Sequence, residues 1–412
     1  MSKVLNYSNG LRAVVQNLPH SHSVSVGIWV NAGSRKENAS NNGISHFLEH
    51  LIFKGTDKMS AFEIAQGFEA LGATINAFTS KDCTCYMFKC ISDTTEECFK
   101  NLSHIFLDSV FDKAEMDRER NVVIEEIGMV DDAPEEVCFD LLSSSLYDGP
   151  LAQTILGPAE NILKMTRDDI LKYMADHYTA DNIVVSMAGN ITTTQADKLI
   201  KKYFLDRLST NPSCKDPCDS KFSVKHTVEI DDYEQSNLII AFPSIEIGNK
   251  LLPVQTLLSV ILGGGMGSRL FQKVREQQGL AYSIYTTPTV HVGSGSFNIC
   301  VNFSAANTKK VMDCIRGEVD LLLKEGVTQE EFCRAKAQLK ASKVFASEST
   351  QAQMLSFGKV MLLLNEVYDM DKKLKQINAV TIKDLMDFSK ALFCKKPALV
   401  YLGKQPDEQP KW

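Results

Sequence analysis

The 412-residue chain reads as an α+β protein built from two homologous halves, each an α/β-roll-like unit in which a sheet carries its helices on one side. Three observations predict this. The length exceeds what one ordinary hydrophobic core serves. The same order of strand-like and helix-like segments occurs twice. Between the two occurrences, Ser209 to Ser220 is rich in Pro, Ser, Asp and Cys, the composition of a linker. The expected domains are 1–209 and 221–412, joined by a linker at 210–220.

Taken in order, Asn9-Gly10 is a hairpin signal, and Val24 to Val30 alternates with the period of a strand. A helix follows around residues 44–53, with Gly55 after Lys54 as its stop. Ser60-Ala61-Phe62-Glu63 is a capping box that opens the next helix, and Gly72 ends it. Strands then lie between Gly72 and Phe88, a helix starts near Thr94, an acidic helix is centred on residue 120, and a strand spans Ile183 to Ala188. The second half repeats this with strands at Leu238–Phe242, Ser294–Phe303 and Leu399–Leu402. Its helices are expected at Leu252–Leu262, Thr308–Lys324 and Glu330–Ser342. Strands and helices mix without the strict alternation of a doubly wound sheet.

A hydrophobic content of 44% with 23% charged residues describes a soluble globular chain. The net charge of −7 argues against nucleic acid as a partner and permits attraction of basic substrates. Eleven cysteines, scattered through both halves, do not form a secreted disulfide framework or a zinc-finger spacing. Cys83-Thr84-Cys85 places two thiols on one strand face, and Cys214 and Cys218 fall in the linker. The amino terminus has no signal core or Arg-rich transit pattern, and no stretch approaches a membrane span. A cytoplasmic protein is expected.

The chemistry concentrates in His46-Phe47-Leu48-Glu49-His50. On a helix, residues four apart share a face, so His46 and His50 can bind one tetrahedral ion together. Glu49 then stands beside the ion, where a carboxylate can take a proton from water acidified by zinc. With 8 His and 51 acidic residues in 412, such a spacing arises by chance about 2% of the time. A solvated surface helix is the bland alternative, but Ile44, Phe47, Leu48, Leu51, Ile52 and Phe53 leave it little polar face. Buried His and Glu need partners, and a metal supplies one.

A catalytic zinc normally takes three protein ligands. The segment Glu115 to Ile127 is the obvious donor of the third, because Glu119 and Glu126 are seven apart and share a face while Glu125 points away. A charge run of this kind is equally the mark of a salt-bridged, solvated helix.

These residues resemble the pitrilysin-type or M16 zinc peptidases, the inverzincins, and among them the short bacterial relatives of the mitochondrial processing peptidase beta subunit. Agreement extends to Gly43-Ile44-Ser45, Phe53-Lys54-Gly55-Thr56 and Asn76-Ala77-Phe78-Thr79. The family places a ligand Glu some 75 residues after its motif, and Glu126 lies 76 positions after His50. The resemblance therefore implies His46, His50 and Glu126 as ligands of one Zn2+ per chain, Glu49 as general base and Glu119 as support for the site. It implies Arg275 and Tyr282 as residues that hold substrate and stabilise the reacting carbonyl. It further implies a homodimer enclosing a chamber, with Arg275 and Tyr282 acting on the partner's site. An extended peptide would add to an edge strand carrying Asn76 and Ala77. The chain departs from the family at Pro150 to Gly157, where a Gly and a Pro of the usual segment are missing.

Gly263-Gly264-Gly265-Met266-Gly267-Ser268 completes no phosphate-binding pattern. It is either the glycine-rich loop that lines the family's substrate cavity or a helix N-terminus packed closely on a strand. Superposing the halves with an offset of 216 sets Leu262, Gly265 and Met266 against His46, Glu49 and His50. The same offset sets Ala335 and Ser342 against Glu119 and Glu126. The second half is thus expected to be a degenerate copy without metal ligands. The function expected is zinc endopeptidase action on short or unfolded peptides. The alternative is a non-catalytic assembly or substrate-binding subunit of the same family. Zinc-dependent hydrolysis of a non-peptide substrate is allowed by the chemistry and disfavoured by the two-half chamber.

Overall fold

The computed structural model describes residues 2–212 and 220–412. Most of the expected linker, with Cys214 and Cys218, lies outside the described residues. The chain divides into two compact units. One comprises Met1–Ile127, Gln153–Cys218 and Phe345–Tyr368, and the other Gly128–Ala152, Asp219–Val344 and Asp369–Trp412.

Among the described residues, the first unit holds a six-stranded sheet in the order Lys3–Asn6, Arg12–Asn17, Ile183–Gly189, Ser23–Val30, Thr84–Ile91, Thr74–Thr79. Arg12–Asn17 runs parallel to Ile183–Gly189 and the other neighbours are antiparallel. In Ser23–Val30, Val24, Val26, Ile28 and Val30 enter the main core with helices Ile44–Leu51, Thr95–Asp108 and Thr193–Tyr203. Ser25, Gly27 and Trp29 face the other way, as the two-residue period of a strand requires.

That opposite face is covered by helix Thr350–Leu364, whose Met354, Phe357, Met361 and Leu362 pack on Trp29, Cys83, Cys85 and Met87. Cys83 and Cys85 do share a face, and it is this one. Beside these apolar contacts, a few small and polar ones let the helix seat closely. Ser25 Oγ lies 2.9 Å from Thr350 Oγ1 and Ser186 Oγ donates to the Met354 carbonyl at 2.8 Å. Gly358 is required here, since a Cβ on it would stand 2.1 Å from Trp29 Nε1.

The second unit repeats the plan. Its five-stranded sheet runs Ala281–His291, Ser294–Phe303, Ser236–Pro243, Ala398–Gly403, His226–Ile230, again with one parallel pair, Ala398–Gly403 with His226–Ile230. Leu238, Ile240 and Phe242 face a core built with helices Leu252–Gly263, Thr308–Glu325 and Ile382–Phe393. Ile239 and Ala241 face helix Pro134–Leu146 through Cys138, Leu142 and Leu146. Among the described residues, each sheet therefore has most of its helices on one face, and its other face is covered chiefly by one long helix that comes from the opposite half of the sequence.

The repeat is in register at the long helices, since Lys113–Asp131 and Gln329–Ser347 lie 216 positions apart. It is not a single offset throughout. Ser23–Val30 and Ser236–Pro243 are 213 apart, because the loops between elements differ in length. Helices Ile44–Leu51 and Leu252–Gly263 start 208 and end 212 positions apart, so the 216 offset does not hold at the motif, but Leu252–Gly263 contains no His, Cys, Asp or Glu, and the conclusion that the copy lacks the metal groups stands.

Candidate metal centre

The helix that carries the motif is Ile44–Leu51. Its apolar residues Ile44, Phe47, Leu48 and Leu51 are buried in the core, which turns His46 and His50 toward helix Lys113–Asp131. Gly43 at its N-cap has φ 100° and offers no side chain to cap it. A Cβ there would meet the Leu156 carbonyl at 2.4 Å.

Three donor atoms converge. Glu126 Oε2 lies 3.7 Å from His46 Nε2 and 3.4 Å from His50 Nε2. Two ligands at zinc bond lengths on a tetrahedron stand about 3.4 Å apart, so the spacing fits such an ion, and all three donors fall within 4.8 Å of one another. The Glu126 side chain is 40% exposed, leaving the outer side open for a further ligand. The residue types, two imidazoles and one carboxylate, match a catalytic zinc set.

The two imidazoles are held differently. His50 Nδ1 stands 3.2 Å from Glu119 Oε2, which fixes the proton on Nδ1 and frees Nε2 as a donor to metal. Glu119 is itself buried and paired with Lys54 Nζ at 2.6 Å. Burial would raise its carboxyl pKa, but the bonds from His50 and Lys54 outweigh that and hold it low. Burial likewise opposes charge on His50, yet the Glu119 bond and the charges of Glu126 and Glu49 raise its pKa. His46 is buried, and burial together with His50 pushes its pKa down to about 4. It is therefore a neutral donor, oriented by packing, for its buried Nδ1 has no hydrogen-bond partner among the described residues.

Glu49 receives a hydrogen bond from Thr79 Oγ1 at 2.5 Å. Burial raises its carboxyl pKa, with the Thr79 bond and His50 opposing the rise. Thr79 ends the strand Thr74–Thr79, which is the outer strand of the sheet and also holds Asn76 and Ala77. Beside Glu49, His50 and Glu119 opens a cavity of about 370 Å³ whose apolar wall includes Phe53, Ala61, Ile64, Ala65, Ile75 and Ala77.

Arg275 and Tyr282 come together in the second unit. The Arg275 guanidinium lies 5.8 Å from the Tyr282 ring and 4.8 Å from the Phe271 ring. Arg275 sits on a π-helical segment, Phe271–Gln277. The register shifts between Ala281 and Ser283, a bulge that re-aims Tyr282, and its side chain is exposed. The glycine run follows the end of helix Leu252–Gly263. Gly263 packs on strand Ala281–His291, where its Cβ would meet Thr286 N at 2.5 Å. The close packing is thus at a helix C-terminus, and not at the helix N-terminus that was one of the two alternatives for this run.

Three residues of the site carried no assigned role in the sequence reading. Lys54 and Thr79 stood in the quoted segments Phe53–Thr56 and Asn76–Thr79. Glu37 caps the motif helix and had no local signal. It is buried, which raises its carboxyl pKa, while hydrogen bonds from Ser45, Asn42 and Gly43 oppose the rise.

Comparison with known proteins gives the chain's family and fold. The insulinase (peptidase family M16) model matches residues 12–159, and the peptidase M16 inactive domain model matches residues 164–339. The chain is 36% identical over 406 residues to an uncharacterized zinc protease of Bacillus subtilis, covering 98% of each. It is 31% identical to one of Streptomyces coelicolor, covering 97% of this chain and 89% of that one. A protease from Helicobacter pylori has the same fold, with TM-score 0.91 at 22% identity over 98% of this chain and 99% of that one. So does a Pseudomonas fluorescens peptidase M16 inactive domain, with TM-score 0.90 at 22% identity over the whole of both chains. The chain belongs to peptidase family M16, with a zinc-motif half followed by the family's inactive domain.

Proposed function

We propose that this protein is a zinc-dependent endopeptidase acting on short or unfolded peptides. The observation that carries the reading is the convergence of His46 Nε2, His50 Nε2 and Glu126 Oε2 beside a buried Glu49. The zinc protease names of its relatives support it. His46, His50 and Glu126 would hold one zinc ion per chain, with Glu119 orienting His50. Zinc there supplies a Lewis acid that lowers the pKa of water to about 7. Glu49, aimed by Thr79, takes the proton from the attacking water and returns it to the amine as the C–N bond breaks. The outer strand offers the backbone of Asn76 and Ala77 for an extended peptide to pair with, and the adjoining cavity receives an apolar side chain.

Arg275 and Tyr282 position the substrate carbonyl, with donors that gain strength as charge develops on it. The family resemblance supports a homodimer in which they serve the partner's metal centre across a chamber, and the eleven scattered cysteines favour a reducing, cytoplasmic location. Among the described residues no helix is long and apolar enough to cross a membrane.

The test is cleavage of a quenched, basic, presequence-like peptide by wild type and by Glu49→Gln, with zinc content measured on both. The variant should keep its metal and lose at least about 10³-fold in kcat. If wild type binds zinc but cuts neither this peptide nor a mixed library, the non-catalytic subunit reading replaces this one. Action in trans predicts that mixing inactive Glu49→Gln with inactive Arg275→Ala restores cleavage.

A further inference from the structure

The motif helix has an unusual beginning. Its N-cap is a glycine in a left-handed conformation and supplies no capping side chain, so the first N–H groups need acceptors from elsewhere. Glu37, seven residues before the helix, supplies them. Its Oε2 accepts from Gly43 N at 2.7 Å and from Asn42 Nδ2 at 2.8 Å. Its Oε1 accepts from Ser45 N at 2.8 Å. The next residue is His46. A carboxylate at this end of a helix also meets the positive end of the helix dipole. Glu37 is 4% exposed, so these donors and the helix dipole must compensate the burial of its charge.

Two further contacts clamp the same turn. Ser45 Oγ lies 2.8 Å from Tyr173 Oη, and Asn42 Nδ2 also donates to the Thr154 carbonyl at 2.8 Å. The two oxygens of Glu37 thereby set both the axial position and the rotation of the helix one residue before its first imidazole.

We infer that Glu37 is a positioning residue for the metal centre, holding His46 and His50 at the separation from Glu126 that a zinc ion needs. This rests on the zinc reading of the site. It assigns to a buried acid, remote from the metal, control over metal affinity and turnover. The requirement is geometric, because ligands must be held within a fraction of an ångström and small displacements cost large factors in rate.

The experiment compares wild type with Glu37→Gln, which keeps the size but turns one acceptor into a donor facing N–H groups. Folding is checked by circular dichroism, zinc dissociation constants are found by chelator competition, and kcat and KM are measured on zinc-saturated protein. The expected result is folded protein with zinc affinity down about tenfold or more, and kcat down about tenfold or more at little-changed KM. A lower melting temperature with zinc affinity and kcat within about twofold of wild type overturns the inference and leaves Glu37 a stabilising cap alone. Should Glu37→Gln fail to fold, Asn42→Ala removes one donor from Oε2 and leaves both backbone bonds. A rise of about two- to fivefold in the zinc dissociation constant, within the range for one lost hydrogen bond, supports the inference, and no change overturns it. Zinc affinity reads out even if wild type cleaves no peptide, so failure of this inference and failure of the peptidase reading are distinguishable.

Discussion

The long helices Lys113–Asp131 and Gln329–Ser347 occupy matching places in the two units and bury matching positions. The first buries Met116, Glu119 and Val123. The second buries Phe332, Ala335 and Leu339, each 216 residues on. One scaffold thus tolerates either an acid or an alanine at the same buried point. The acid is retained because Lys54 and His50 bond to it; the alanine needs no partner. The difference teaches that the sheet and its helices specify the fold, while the chemistry depends on a set of mutually compensating polar groups laid on it.

The comparison can be broken by moving the charge. Ala335→Glu puts a carboxylate at the second unit's buried point without its partners and should cost about 3 kcal/mol, read as a lowered urea midpoint. An unchanged midpoint would mean that the two positions are not equivalent. Conversely, Glu119→Gln leaves His50 without its anchoring charge. A loss of about 10–100-fold in zinc affinity or activity is expected, and chelator competition giving wild-type affinity would remove Glu119 from the site.

The helices on the far faces of the sheets offer a smaller test. Gly358→Ala drives a methyl into the buried Trp29 ring and should destabilise the first unit by about 1–3 kcal/mol. A normal melting curve would show that helix Thr350–Leu364 is not seated against that strand.

The smallest expected effect is a pH dependence in the second unit. Arg269 binds Glu331 at 2.7 and 2.8 Å, and these bonds pull the Glu331 carboxyl down to about 2 from its ordinary 4.5. A depressed carboxyl stabilises the fold above pH 4.5 and loses that contribution as pH falls toward 2. Stability of Arg269→Gln should therefore fall less steeply than wild type below pH 4.5. Equal slopes would show the pair to be without consequence.

Features encoded within single elements were legible in the sequence. The four-residue spacing of His46 and His50, the seven-residue spacing of Glu119 and Glu126, and the Ser60–Glu63 capping box all follow from helical periodicity. The duplicated order of strands was likewise visible from alternation and turn residues. Sheet order, the covering of the far faces by helices Pro134–Leu146 and Thr350–Leu364, and the bulge at Tyr282 were decided by tertiary structure. A strand buried on both faces reads as a continuous apolar run, so its sequence does not say which helix lies on which side. The bonds of Lys54 to Glu119, Thr79 to Glu49 and Glu37 to the motif helix were also decided there. Each joins residues whose local patterns are unrelated, and each exists because burying a polar group obliges the fold to supply its partner.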